Sequence, residues 1–248
     1  MNNLKGKIAL VTGGSRGIGA ATALALAEQG ADVAFSYVAS TDKAQTLVET
    51  IKAKGVRAAA FKSDQGDIMQ TADLVADVVR AFGKIDIFVC NAGVTFAGMI
   101  DGPETADAAR RRLYDVSLHG VIDGIRAVAR SMGEGGRIIV IGSGVALRTG
   151  SPGLADYSAV KSALVGYTRG ASRDLAPRNI TVNVVLPGFT DTDMVAPFKE
   201  QLEHLIEGIA LRRLARPEEI AAGIVFLASP AASYVTGSVL NIDGGLSA

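Results

Sequence analysis

The chain has 248 residues, 48% of them hydrophobic, and its 25 basic and 25 acidic residues give a formal net charge of zero. That balance, with the basic residues scattered along the chain, argues against binders of nucleic acid or of anionic membranes and leaves small molecules or copies of itself as partners. The single Cys90 excludes an internal disulfide framework, His119 and His204 have no Cys or His companions to suggest a metal site, and no apolar run reaches membrane-spanning length.

The opening MNNLKGKIALVTGG lacks the apolar stretch of a signal peptide, so a cytoplasmic protein is expected. With no linker, charge block or repeat to mark a boundary, residues 1–248 are read as one domain.

The first predicted strand, 7–12, is nearly continuously apolar, as expected when helices cover both faces of a parallel sheet. It runs into TGGSRGIG and a helix over 17–29. Glycines there let the backbone turn sharply and approach a diphosphate, which the free N–H groups at the helix start would hold. Gly13, Ser15, Arg16, Gly17, Ile18 and Gly19 are therefore candidate dinucleotide contacts, although a tight strand-to-helix connection would use the same glycines. The second strand, 32–36, ends at Ser36 and Tyr37, where an acidic residue would select NAD(H). With Arg16 able to face a 2′-phosphate, NADP(H) is the expected cofactor in preference to NAD(H); otherwise Arg16 is merely solvated.

After a helix over 42–54, strand 57–62 is followed by KSDQGD, which brings Asp64 and Gln65 to the adenine side, or leaves Asp64 to help cap the helix over 67–82. Strand 85–90 is followed by Asn91, Ala92 and Gly93, which meet the cofactor's ribose or form a plain turn. A helix over 107–131 precedes strand 136–141, which delivers Ser143 to the same sheet edge. In the helix over 155–175, Tyr157 and Lys161 stand one turn apart on one face, an acid/base pair or a chance neighbourhood on a solvated surface. Strand 181–186 ends in Pro187, Gly188, Phe189, Thr190 and Thr192; residues 192–216 read as a lid, and a helix over 217–227 and a strand over 238–242 close the chain. Met194, Val195, Phe198, Leu202, Leu205 and Ile206 offer an apolar wall suited to an uncharged substrate, or simply pack the lid down.

The alternation predicts an α/β Rossmann fold: a doubly wound, seven-stranded parallel sheet flanked by helices. In such sheets ligands sit beyond the carboxyl ends of the strands, where these candidate residues cluster.

The ordered set Thr12-Gly13-x-x-x-Gly17-x-Gly19, Asp64, Asn91-Ala92-Gly93, Ser143, Tyr157-x-x-x-Lys161, Pro187-Gly188 with Thr192, and Asp243-Gly244-Gly245 resembles the short-chain dehydrogenase/reductase family over essentially the whole chain. The resemblance implies that Ser143 holds a substrate carbonyl, Tyr157 exchanges its proton, and Lys161 binds the nicotinamide ribose and lowers the tyrosine pKa. A phenol titrates near 10, so acid/base work at neutral pH asks for a shift of about 3 units, roughly 4 kcal/mol, from nearby positive charge. It implies too that the backbone around Phe189 and Thr190, with the Thr192 hydroxyl, holds the nicotinamide carboxamide, and that NADPH reduces a carbonyl to an alcohol or the reverse. A homotetramer is expected on the same ground.

One departure is Ser117, which stands in YDVSLHG where the family usually has an asparagine that anchors a water next to the lysine. The chain is also similar, more loosely, to the 3-oxoacyl-[acyl-carrier-protein] reductase branch, whose basic docking residues have Glu134 in their place here, with Arg178 as a remaining basic contact. A general carbonyl reductase or secondary-alcohol dehydrogenase is therefore placed first and the carrier-dependent reductase second. A nucleotide-binding regulator without turnover is the reading from another class.

Overall fold

In the computed structural model, which describes residues 3–102, 106–195 and 206–248, short apolar runs form seven strands. These are β1 (Ile8–Val11), β2 (Asp32–Tyr37), β3 (Ala58–Lys62), β4 (Ile87–Cys90), β5 (Arg137–Ile141), β6 (Thr181–Pro187) and β7 (Val239–Ile242). All pairings are parallel and the order is β3-β2-β1-β4-β5-β6-β7, the doubly wound Rossmann arrangement expected. The order reverses between β1 and β4, so a crevice opens there at the strands' carboxyl ends.

The described helices are α1 (Gly17–Glu28), α2 (Thr41–Lys52), α3 (Ile68–Phe82), α4 (Asp107–Tyr114), α5 (Gly120–Ser131), α6 (Ala155–Leu175) and α7 (Pro217–Ala228). Buried residues of α1, α2 and α7, among them Leu26, Leu47, Ile51 and Ile224, form the core on one face of the sheet. On the other face Leu74, Val78, Ile125, Val128 and Leu164 from α3, α5 and α6 do the same. Helical spacing explains the second layer: Thr71, Leu74, Val75, Val78 and Phe82 recur every three or four residues and are the buried stripe of α3. Among the described residues no helix is long and apolar enough to cross a membrane.

One predicted element is corrected. The helix expected over 107–131 is interrupted by a π turn, Asp115–His119. Two tethers hold the backbone off the regular ladder. Gln65 Nε2 donates to Val116 O at 2.8 Å, and the wholly buried Ser117 hydroxyl accepts from Val94 N at 2.9 Å and donates to Val94 O at 3.0 Å. A wide turn at a functional edge is where π turns are usually found.

Candidate active site

The turn between β1 and α1 is stitched to its neighbours by main-chain and small side-chain bonds. Gly14 N donates to Ser36 O at 2.8 Å and Gly13 N to Ser36 Oγ at 3.2 Å. Thr12 Oγ1 accepts from Asn91 N at 3.1 Å and Ala92 N at 3.0 Å, while Asn91 Nδ2 donates to Thr12 O and Gly13 O. Gly13 and Gly17 have φ of +63° and +54°, conformations that favour glycine. A Cβ at Gly14 would lie 2.5 Å from Phe35 Cβ, and one at Gly19 would run into Gly13 O and lie 2.5 Å from Asn91 Nδ2. Bare backbone therefore lines the cradle. The start of α1 has no side-chain cap and no acidic residue in its first turn, so its positive end is left for an anion. A dinucleotide diphosphate fits these residues.

Several expected contacts have other partners. Ser36 is 3% exposed and its hydroxyl accepts from Gly13 N, which ties it into the glycine turn; Tyr37 follows it at the partly exposed end of β2. Gln65 is buried, its amide donating to Ala92 O and Val116 O, which makes it a brace between the β4 loop and the π turn. Asn91 closes the glycine turn with its amide. The cap of α3 is Asp67, which accepts from Met69 N and Gln70 N; Asp64 accepts instead from Gly66 N and both its oxygens receive Arg112 Nη2, at 2.7 and 2.8 Å. Partial burial pushes the Asp64 pKa up, but the hydrogen bonds from Arg112 and Gly66 outweigh it and hold the carboxyl below its ordinary value. Nothing in the local sequence announces Arg112, whose partner is 48 residues away.

The chemistry-bearing side chains meet at the ends of β4, β5 and β6. Ser143 follows β5 and opens a short 3₁₀ turn, Gly144–Ala146, accepting from Val145 N at 3.3 Å. Tyr157, in the first turn of α6, is a side-chain neighbour of Ser143. Burial raises the phenol's pKa and Ser143 pulls it partway back. Lys161 is 7% exposed, and its ammonium donates to Ile141 O at 3.1 Å. Burial lowers its pKa from 10.5 to about 8.

Lys161 Nζ lies 5.8 Å from the centre of the Tyr157 ring and donates to the β5 carbonyl of Ile141, and burial shifts the phenol up. Ser117 does not bond back along its helix; it holds Val94. A Cβ at Gly93 would lie 3.5 Å from Ser117 Oγ and 3.8 Å from Lys161 Nζ, so glycine keeps the space between them open.

Beyond β6, Gly188 N donates to Ile242 O at 3.0 Å, and a Cβ at Gly188 would press on Asp243. Thr190, 4% exposed, donates to Gly188 O, and Thr192 Oγ1 donates to Thr190 O at 3.3 Å. The Thr192 methyl would be 3.2 Å from a Cβ at Gly17, which places this turn directly against the glycine cradle. Asp243 accepts from Gly245 N and Ser247 N and so folds the chain end over the β6 turn. Of the expected apolar wall, Met194 is exposed and Val195 and Ile206 are partly buried, while Phe198, Leu202 and Leu205 lie outside the described residues; Leu211 is exposed too, as are Met99, Ile100 and Leu147 on the β4 and β5 loops.

Residues 13–247 match a family model described as enoyl-(acyl carrier protein) reductase. The chain is 40% identical over 243 residues, 97% of its length and 98% of the relative's, to the 3-oxoacyl-[acyl-carrier-protein] reductase FabG of Staphylococcus epidermidis. It is 41% identical over 251 residues, all of both chains, to the cyclic-di-GMP-binding biofilm dispersal mediator protein of Escherichia coli. Among solved structures it matches a short chain dehydrogenase from Burkholderia cenocepacia in complex with NADP, with a TM-score of 0.93, 43% identity and coverage of 99% of this chain and 100% of that one. Fold, ordered motifs and end-to-end similarity agree: the chain belongs to the short-chain dehydrogenase/reductase family of oxidoreductases.

Proposed function

We propose that the protein is an NADP(H)-dependent carbonyl reductase in which Tyr157 exchanges the proton of an uncharged ketone or secondary alcohol. The observation that carries this is the neighbouring Ser143 and Tyr157 pair, with Lys161 one helical turn on, at the sheet edge that also holds the glycine cradle. The NADP complex of the Burkholderia relative, Arg16 beside the cradle and the absence of an acidic residue at the end of β2 support the choice of cofactor. Gly13, Gly17 and Gly19 would hold its diphosphate, Tyr37 and Asp64 would flank the adenosine, and the 188–192 turn would receive the nicotinamide; bound there, NADPH supplies the hydride.

The chain itself supplies position and a proton. Ser143 would donate to the substrate oxygen, and the raised Tyr157 pKa keeps the phenol protonated at neutral pH, which suits reduction. Lys161, near neutrality at about 8, is a group whose charge responds to small changes around it. Tyr157→Phe is expected to lower turnover by about 10²- to 10⁴-fold with NADPH binding retained. Undiminished turnover in that variant would overturn the proposal. A wild-type protein that binds NADPH but turns over no ketone, aldehyde, diketone or β-ketoacyl thioester would favour a regulator.

The carrier-dependent reductase is the second reading, favoured by the Staphylococcus relative. Against it, the Arg178 guanidinium donates to Ala129 O and Met132 O, and Glu134 accepts from the neighbouring Asn179. Reduction of a carrier-protein thioester far faster than of a small thioester would reverse this order. Self-association belongs to the same proposal: β7 lies at the sheet edge, with Val239 and Leu240 partly exposed and Phe226 and Tyr234 exposed nearby in the chain.

A further inference from the structure

Beyond Thr192 the chain reaches back to the glycine turn and completes an ionic group of three. Arg16 Nη1 lies 3.3 Å and Lys43 Nζ 3.9 Å from the same oxygen, Oδ2 of Asp193. The members come from separate parts of the fold: the residue before α1, the first turn of α2, and the turn after β6. All three side chains are more than 60% exposed, so water screens the pairs and an anion of higher charge can take the cations over.

The position gives the group its meaning. Arg16 borders the diphosphate cradle, and Lys43 follows the end of β2, where a dinucleotide fold receives the adenosine ribose. The Ser36 hydroxyl, at the end of β2, accepts from Gly13 N. Two cations thus stand at the glycine turn and just after β2, and one carboxylate of the chain stands between them.

Resting on the NADP(H) reading above, we infer that Arg16 and Lys43 together seat the 2′-phosphate and that Asp193 is its internal competitor. A phosphate monoester carries close to two negative charges at neutral pH and replaces the single charge of Asp193 at both cations. NADH has a hydroxyl there and displaces nothing. Lys43 therefore acts for the phosphate and Asp193 against it, and neither bears on NADH.

The test is equilibrium binding, independent of any substrate: NADPH, NADH, 2′,5′-ADP and 5′-AMP titrated into wild type, Lys43→Gln, Asp193→Asn and the double variant, with circular dichroism to confirm folding. Lys43→Gln is expected to weaken NADPH and 2′,5′-ADP by about two- to fivefold and Asp193→Asn to tighten them by about twofold, the scale of exposed ion pairs. NADH and 5′-AMP should not change, and the gain from Asp193→Asn should shrink when Lys43 is absent. Wild-type preference for NADPH with no change in either variant, or with equal changes for NADH, overturns the inference and leaves the NADP(H) reading intact. A wild type that binds NADH as tightly as NADPH overturns that reading itself.

Discussion

Replacing Lys161 by methionine tests the electrostatics of the site through stability. The ammonium is buried, donates to Ile141 O at 3.1 Å, and has its pKa lowered from 10.5 to about 8. Between those values the unfolded chain holds a proton that the folded chain has released, so stability rises with pH at up to about 1.4 kcal/mol per unit. Equivalently, keeping the ammonium at neutral pH costs the folded state about 3 kcal/mol. Lys161→Met removes that cost and also a charge-assisted hydrogen bond of about 1.5–3 kcal/mol, so near pH 7 the two proteins should differ little. From about pH 8 to about pH 9.5 the wild type should gain roughly 2 kcal/mol on the variant. Cys90, whose pKa burial raises, is present in both proteins and cancels in the difference, and Tyr157, raised by burial from 10, stays largely protonated over that range. Urea unfolding of both proteins across that range reads the effect directly. Parallel stability curves would refute the reasoning, because a lysine that costs nothing to bury is not the desolvated group described here.

Ser117→Ala removes both bonds to Val94 in a fully buried setting, with an expected cost of about 1–3 kcal/mol in thermal unfolding and a matching loss of order in the β4 loop. Ser117→Asn can restore a donor and an acceptor to Val94, so turnover should be kept or raised; a large loss would show that the site is built around serine. Gly19→Ala drives a methyl group into Gly13 O and Asn91 Nδ2, and calorimetry with NADPH should show binding weakened by about tenfold or more. Unchanged affinity there would remove the glycine turn from the proposed cofactor site.

Much of the fold is written locally. The inner strands β1, β4 and β6 are apolar runs because they are buried on both faces, and α3 shows its buried stripe at helical spacing. The i, i+4 geometry of α6 likewise makes Tyr157 and Lys161 neighbours whatever surrounds them. The break at Asp115–His119 was not legible, because the residues that hold it, Gln65 and Val94, belong to other loops.

The sequence by itself therefore determined which elements form, the order in which they bring polar residues to one edge of a sheet, and the class of chemistry those residues can perform. Only the tertiary structure decided how they are engaged: Ser36 within the glycine turn, Arg112 on Asp64, Asp193 between Arg16 and Lys43, and Lys161 on the β5 carbonyl. The physical reason is range. Backbone periodicity and burial patterns are set by neighbours a few residues away, whereas a hydrogen bond or ion pair depends on which side chain arrives from 48 or 177 residues along the chain. Those arrivals fix the desolvation and the charge around each group, and with them whether it titrates, binds or braces.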